Sequence, residues 1–439
     1  MPPTRPGWIN DKMTTTLALR TRLDAKTPPR SAARPKAAPR KPHVALVIRL
    51  LHERSGGAER LYCELANMLH EDGHEVSCVY FDDTRGAPFF ALRPGITRVN
   101  LAAPARPLSG RAHAAKRKLY NLATRALTFP PLRRLAWSSV HGRFRKQLHS
   151  YFKSARPDVA ISFMPPANTP SLLAARGTGV KVIPTNHNVP EEDYLSPQRW
   201  DPNPLDRKLR LSSLSNAAAI HVLFPGFAKW FPRHLQSKII VVPNYVSPEI
   251  LAAAPRRQRE KIVLAVGRIA APKNYLCLVE AWALLADRHP DWQVHIYGVG
   301  PQTRLIREAI AEKGLAERVL LKGHSKDLQE VYARSAILCH PALFEGFGLS
   351  VAEALSLETP VVAFSDCAGV NEFVSDEKNG LLVAREGGAK ALADGMERLI
   401  TDDDLRLRLG RNGPDSVAHF TQERYRRTWL DAIAEVTAR

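Results

Sequence analysis

Short apolar, β-branched runs alternate with stretches of helical character along this chain of 439 residues. In the first half the runs fall at 44–51, 76–81, 159–164, 181–185, 219–224 and 239–243. In the second half they fall at 261–266, 293–297, 319–322, 337–340, 360–364 and 381–383. Runs without polar alternation suit strands buried on both faces. Parallel neighbours need a crossover connection, usually a helix, so this alternation predicts βαβ units and parallel sheets. Two series of about six strands predict an α/β protein of two Rossmann-like domains with a cleft between them. The join is expected between Pro243 and Glu260, where Pro and Ala punctuate the chain. Tyr425, Trp429, Ile433 and Val436 recur at helical spacing and predict an amphipathic helix over 422–438.

Composition narrows the class. The chain is 44% hydrophobic, ample for two cores and too much for a disordered protein. It has no apolar run of membrane-spanning length and no apolar signal core near the N-terminus. A cytoplasmic protein is the expectation. Met13 is a second candidate start, and an Arg-rich transit peptide is the alternative reading of the tail. The five cysteines have no C-x-x-C spacing and read as reduced thiols. The net charge of +20 is unevenly spread. Residues 1–42, rich in Pro, Ala and Arg, read as a disordered basic tail, and 101–150 contain eleven Lys/Arg and no acid. Basic segments seek phosphates of lipids, nucleic acids or small molecules, with a solvated surface as the bland reading. In 101–150 the cations are interleaved with Tyr120, Leu122, Leu127, Phe129, Leu132, Trp137 and Phe144, which suits an anionic bilayer face.

Ligands of open parallel sheets bind beyond the carboxyl ends of the strands, and four unusual segments fall there. The first is Glu345-Gly346-Phe347-Gly348-Leu349-Ser350-Val351-Ala352-Glu353. Its glycines let backbone N–H groups approach a ligand, and the helix that follows offers an anion site at its N-terminus. Two carboxylates beside such a cradle suit sugar hydroxyls, which donate hydrogen bonds. Ser350 and Glu353 also fit a capping box, a purely structural alternative. The second is Gly267-Arg268 followed by Lys273-Asn274, two cations spaced to clamp a diphosphate. The third is Ser55-Gly56-Gly57-Ala58-Glu59, either an anion-facing helix start or a tight turn. The fourth is Thr185-Asn186-His187-Asn188, whose histidine is catalytic or structural. No metal-ligand motif is present, so no metal and no cofactor are expected.

Together, and in this order, these segments resemble the retaining glycosyltransferases of family 4, which have the GT-B fold. Val319-Leu-Leu-Lys-Gly323, Pro360-Val-Val-Ala, Asn379-Gly-Leu-Leu-Val383 and Val242-Pro243-Asn244 are also similar to that family. The resemblance covers residues 43–435. It implies an acceptor-side domain at 43–247, a nucleotide-sugar-binding domain at 248–417, and a C-terminal helix at 418–439 that crosses back to the first domain. It implies that Arg268 and Lys273 bind the donor diphosphate and stabilise the leaving nucleotide. Glu345 would contact the transferred sugar and Glu353 the ribose hydroxyls. Backbone N–H groups of Phe347, Gly348 and Leu349 would meet the diphosphate or the sugar. His187 would lie near that sugar, and Gly56 and Gly57 would line the cleft. Tyr245 departs from the family, which has Gly after Pro-Asn.

The expected partners are a UDP- or GDP-sugar donor, a glycan or lipid-linked acceptor of surface polysaccharide synthesis, and the inner face of an anionic membrane. A nucleotide-sugar epimerase or a phosphorylase on the same fold is the alternative enzyme. A nucleic-acid-binding protein is the alternative class. It lacks any recognition motif, and the charge is confined to two segments.

Overall fold

The continuous apolar runs become strands enclosed on both faces. In β1 (His43–Ile48), β4 (Val159–Phe163), β11 (Ser335–His340) and β12 (Val361–Phe364) every residue is buried. The computed structural model describes residues 40–54, 56–84, 86–102, 120, 124, 129–197 and 199–439. All but the end of the 1–42 tail, and most of 103–128, lie outside these. From Lys41 onward the chain forms one compact unit.

The first sheet adds β2 (Glu75–Tyr80), β3 (Thr97–Asn100), β5 (Lys181–Thr185), β6 (Ile220–Val222) and β7 (Ile239–Val241). Its order is β3-β2-β1-β4-β5-β6-β7, parallel throughout. The second adds β8 (Glu260–Val266), β9 (Gln293–Tyr297), β10 (Val319–Gly323) and β13 (Gly380–Val383), in the parallel order β10-β9-β8-β11-β12-β13. The strand the sequence pattern misses is β3. It is a sheet edge carrying Thr97, Arg98 and Asn100, all exposed, so no apolar run marks it. Both sheets reverse direction at their first strand, between β1 and β4 and between β8 and β11. Such switch points open a crevice at the carboxyl ends of the strands.

Two packings join the halves. Phe224, just beyond β6, stacks on Phe347 at 5.4 Å with rings 4° from parallel. Phe373 and Phe420 close around Phe347. The C-terminal helix Gln422–Ala438 then buries Tyr425, Trp429, Ile433 and Val436 in the core of the first sheet, with Val44, Leu46 and Leu61. Trp429 stacks on His221 at 5.2 Å.

The basic block is partly core. Helices Pro130–Trp137 and Arg143–Ala155 are joined by the π-helical turn Ser138–Gly142. Trp137 and Phe144, both expected on the membrane-facing side, are buried. Trp137 Nε1 donates to Asp206 at 2.7 Å, and Phe144 packs inside the first core. Among the described residues there, Phe129, Leu132 and Leu135 are the large apolar side chains that are exposed; Leu122 and Leu127 lie outside the described residues.

Trp429 is 1% exposed, so its removal opens a large cavity. Trp429→Ala should destabilise the protein by about 3–5 kcal/mol, read as a lower urea midpoint. An unchanged midpoint would mean that the terminal helix is not part of the core.

Candidate active site

The second-half loops converge because glycine lets their backbones touch. At Gly298, where φ is 135°, a Cβ would sit 2.0 Å from the Gly267 carbonyl oxygen. This locks the loop after β9 onto the loop after β8. Leu343 N then donates to Pro272 O at 2.8 Å, tying the loop after β8 to the loop after β11. Asn274 takes the left-handed φ of 54° and turns the chain from Ala271–Lys273 into the helix Tyr275–Ala283. Asn is among the few residues that tolerate that conformation.

These contacts bring Lys273 onto Glu345, and the two form an ion pair. His340 Nε2 lies 3.1 Å from the same carboxylate oxygen. Burial alone would raise the Glu345 carboxyl. Lys273 and His340 outweigh it and hold the group down at about 2. His340 is itself pushed down by burial, so it stays largely neutral near pH 7. Arg268 is exposed on the same loop as Lys273.

The helix Leu349–Ser356 starts at Gly348, whose φ is 83°. Gly348 is the N-cap, and no side chain caps the helix. Ser350 therefore does not cap it, and the capping-box alternative for Glu353 falls. Instead Glu353, 5% exposed, accepts a hydrogen bond from Tyr332 Oη at 2.8 Å and lies 3.7 Å from Arg60 Nη1. The Phe347 ring belongs to the aromatic joint between the halves, so only its backbone is available to a ligand.

The first half meets this loop at backbone distance. A Cβ on Gly346 would lie 2.0 Å from the His187 carbonyl oxygen, so only glycine fits. His187 follows β5, half-buried, stacked on Phe163 at 5.1 Å, with Nε2 2.9 Å from Thr185 Oγ1. Burial, then His221, push its pKa well down, so the ring is neutral. Its Nδ1 is enclosed without a hydrogen-bond partner. Gly56 and Gly57 are exposed at the start of the helix Gly57–Glu71. A Cβ on Gly57 would lie 3.8 Å from Leu349 Cδ1. The N-termini of two helices, each carrying about half a positive charge, thus lie near each other across the junction. Glu59 in that first turn is pushed up by burial; its own backbone N–H, Arg54 and Arg268 act in the opposite sense. Of the ten candidate site residues, all but Glu353 lie on loops or at helix starts beyond carboxyl strand ends; Glu353 lies inside the helix Leu349–Ser356. Lys273 and Glu345 touch, whereas Glu353 sits in a separate pocket with Tyr332 and Arg60.

Two family models match the chain: "Glycosyltransferase Family 4" over residues 55–250 and "Glycosyl transferases group 1" over residues 246–416. The chain belongs to the family 4 glycosyltransferases, which have the GT-B fold. This glycosyltransferase is 26% identical over 397 residues to a Campylobacter jejuni enzyme. That relative is named as a GalNAc-alpha-(1->4)-GalNAc-alpha-(1->3)-diNAcBac-PP-undecaprenol alpha-1,4-N-acetyl-D-galactosaminyltransferase. The alignment spans 90% of this chain and 98% of that one. Sucrose-phosphate synthase from Thermosynechococcus elongatus has the same fold, with a TM-score of 0.71 at 20% identity. It covers 90% of this chain and 99% of its own. Anabaena HepE in complex with UDP aligns at 0.64 and 15% identity, over 90% and 100%.

A metal-like cluster lies elsewhere in this glycosyltransferase. His141, Asp201 and Asp206 are buried with ligand atoms within 4.8 Å of one another. His141 Nε2 is 2.8 Å from Asp201, while Asp206 also accepts from Arg210 Nε at 2.7 Å. The Arg210 guanidinium already pairs with one of the two carboxylates, and the cluster ties the π-helical turn to Asp201 and Asp206.

The depressed Glu345 carboxyl has a consequence for stability. A group held below its ordinary value of 4.5 contributes stability that is complete above that value. The contribution is lost as the pH falls toward about 2. The stability gap between the wild type and Glu345→Gln, from urea midpoints, should stay constant from about pH 7 to 5 and narrow below that. A gap that widens on acidification contradicts the assignment.

Proposed function

We propose that this glycosyltransferase moves a sugar from a UDP- or GDP-linked donor to a lipid-linked or polymeric glycan acceptor, with retention at the anomeric carbon and without a metal. The Lys273–Glu345 pair, on the loops that lead to two neighbouring helix starts, is the observation that carries this reading. A pyrophosphate fits between Arg268, Lys273 and the backbone N–H groups of Phe347, Gly348 and Leu349. Gly56 and Gly57 face it from the other half. Glu345 accepts hydrogen bonds from the sugar, Glu353 from the ribose, and His187 lies near the transferred sugar. The acceptor class is supported by the PP-undecaprenol substrate in the name of the Campylobacter jejuni relative. UDP is the first choice of nucleotide, since HepE was crystallised with it.

In the reaction the anomeric C–O bond to phosphate breaks as the acceptor oxygen bonds to the same carbon. The acceptor's proton passes to the departing phosphate oxygen. Arg268, Lys273 and the helix starts stabilise the negative charge that develops there. Lys273 and His340 already engage the Glu345 carboxylate at Oε1, which favours same-face displacement over a glycosyl-enzyme through Glu345.

A panel of UDP- and GDP-sugars in a thermal-shift assay should raise the melting temperature for one of them. With that donor, slow hydrolysis or transfer should persist in EDTA and fall about 100-fold or more in Arg268→Gln and Lys273→Gln. Clean epimerisation of the donor, or activity in both variants, would sink the proposal.

The proposed membrane contact rests on the exposed Phe129, Leu132 and Leu135, which are 59%, 45% and 68% accessible, beside the exposed Arg134, Arg143, Arg145 and Lys146. No described helix is long and apolar enough to cross a membrane. The enzyme should sediment with vesicles containing anionic lipid. Neutralising Arg133, Arg134, Arg143, Arg145 and Lys146 should abolish this, and unchanged sedimentation would refute it.

A further inference from the structure

We propose that Arg60 is a positioning residue for the donor: reaching over from the first half, it keeps Glu353 ionised so that this carboxylate can accept the ribose hydroxyls. The inference rests on the reading of Glu353 as the ribose-binding group.

A carboxylate accepts hydroxyl hydrogen bonds on both oxygens, whereas a protonated carboxyl has lost one acceptor and carries a proton of its own. Glu353 is buried, and burial raises its pKa. The groups around it come from two elements. Tyr332, on the helix Leu328–Arg334, donates to Oε2 at 2.8 Å. Arg60 and Glu64 come from the helix Gly57–Glu71 of the other half. Arg60 Nη1 is 3.7 Å from Glu353 Oε1, close enough for charge stabilisation and too long to occupy that oxygen as a hydrogen-bond donor. Oε1 is thus charged and still free to accept. Glu64 opposes by raising the Glu353 carboxyl, and Arg60 is the cation that offsets it.

Arg60 is held for this task. Its Nε donates to Glu64 Oε1 at 2.9 Å, and Tyr245 Oη donates to Glu64 Oε2 at 2.6 Å. The Tyr245 side chain is the brace that fixes Glu64. Arg60 Nη2 is enclosed without a hydrogen-bond partner. The charge of a second-half donor residue is therefore set by a first-half side chain.

Nucleotide sugars are suitable probes, because both their phosphates stay ionised at neutral pH. With UDP-GlcNAc and GDP-mannose, the donor KM of the wild type should be nearly flat from about pH 8 to 6. In Arg60→Gln it should climb about tenfold as the pH falls, with kcat changed little, because the uncompensated carboxyl takes up a proton. Arg60→Lys should restore the flat profile. A KM in Arg60→Gln that matches the wild type, or is raised equally at every pH, overturns the proposal. Calorimetry on the wild type in two buffers of different ionisation enthalpy adds a test that needs no variant. Donor binding at pH 7 should exchange no proton, and release of one overturns the idea. Glu353→Gln separates the two readings. If it binds donor as tightly as the wild type, the ribose assignment itself is wrong. If it binds weakly while Arg60→Gln stays flat, only the role of Arg60 is lost.

Discussion

The contact on which the site depends is the approach of two backbones, Gly346 against the carbonyl of His187. A single methyl group at residue 346 would collide there. This contact sets how near the loop after β11 comes to the loop after β5. It thereby places the helix starting at Leu349 opposite the helix starting at Gly57. The same close packing seats Phe347 on Phe224, so the joint between the halves and the ligand loop are one segment of chain. The loop's backbone faces the site while its side chain serves as hydrophobic glue.

Electrostatics divides the site into two compartments. Around Glu345, a lysine and a neutral histidine hold a carboxylate firmly ionised. Around Glu353, burial pushes the same way but prevails, and the carboxyl stays above its ordinary value although an arginine and a tyrosine act against it. One acid keeps its charge from its own half of the molecule. The other takes its counter-charge from the opposite half. The junction of the halves therefore brings Arg60 of one within 3.7 Å of Glu353 of the other. Tyr245, at the passage between the sheets, and Gln422, on the terminal helix, touch the same network.

The fold was largely legible in the sequence because a strand buried on both faces must be apolar throughout. The exception, β3, lies at an edge where its residues meet water, and its signal vanished for that reason. The basic block was legible as a charged, aromatic-bearing stretch but not as a surface. Phe144 and Phe129 look alike in sequence; one is inside the core and the other outside it, and only packing separates them.

What the sequence determined by itself was local chemistry: two series of parallel strands, glycine-rich loops after strands, two cations on one loop and two acids eight residues apart. These follow from residue type and spacing over a few turns of chain. What only the tertiary structure decided was pairing. Lys273 and Glu345 are 72 residues apart in the chain, and Arg60 and Glu353 lie on helices of different halves. The capping box at Ser350 was equally legible and is absent, because Gly348 takes the left-handed turn one position before the helix. Spacing fixes which groups share a face of one element. Which groups meet across a junction depends on how closely backbones pack, and no local pattern encodes that.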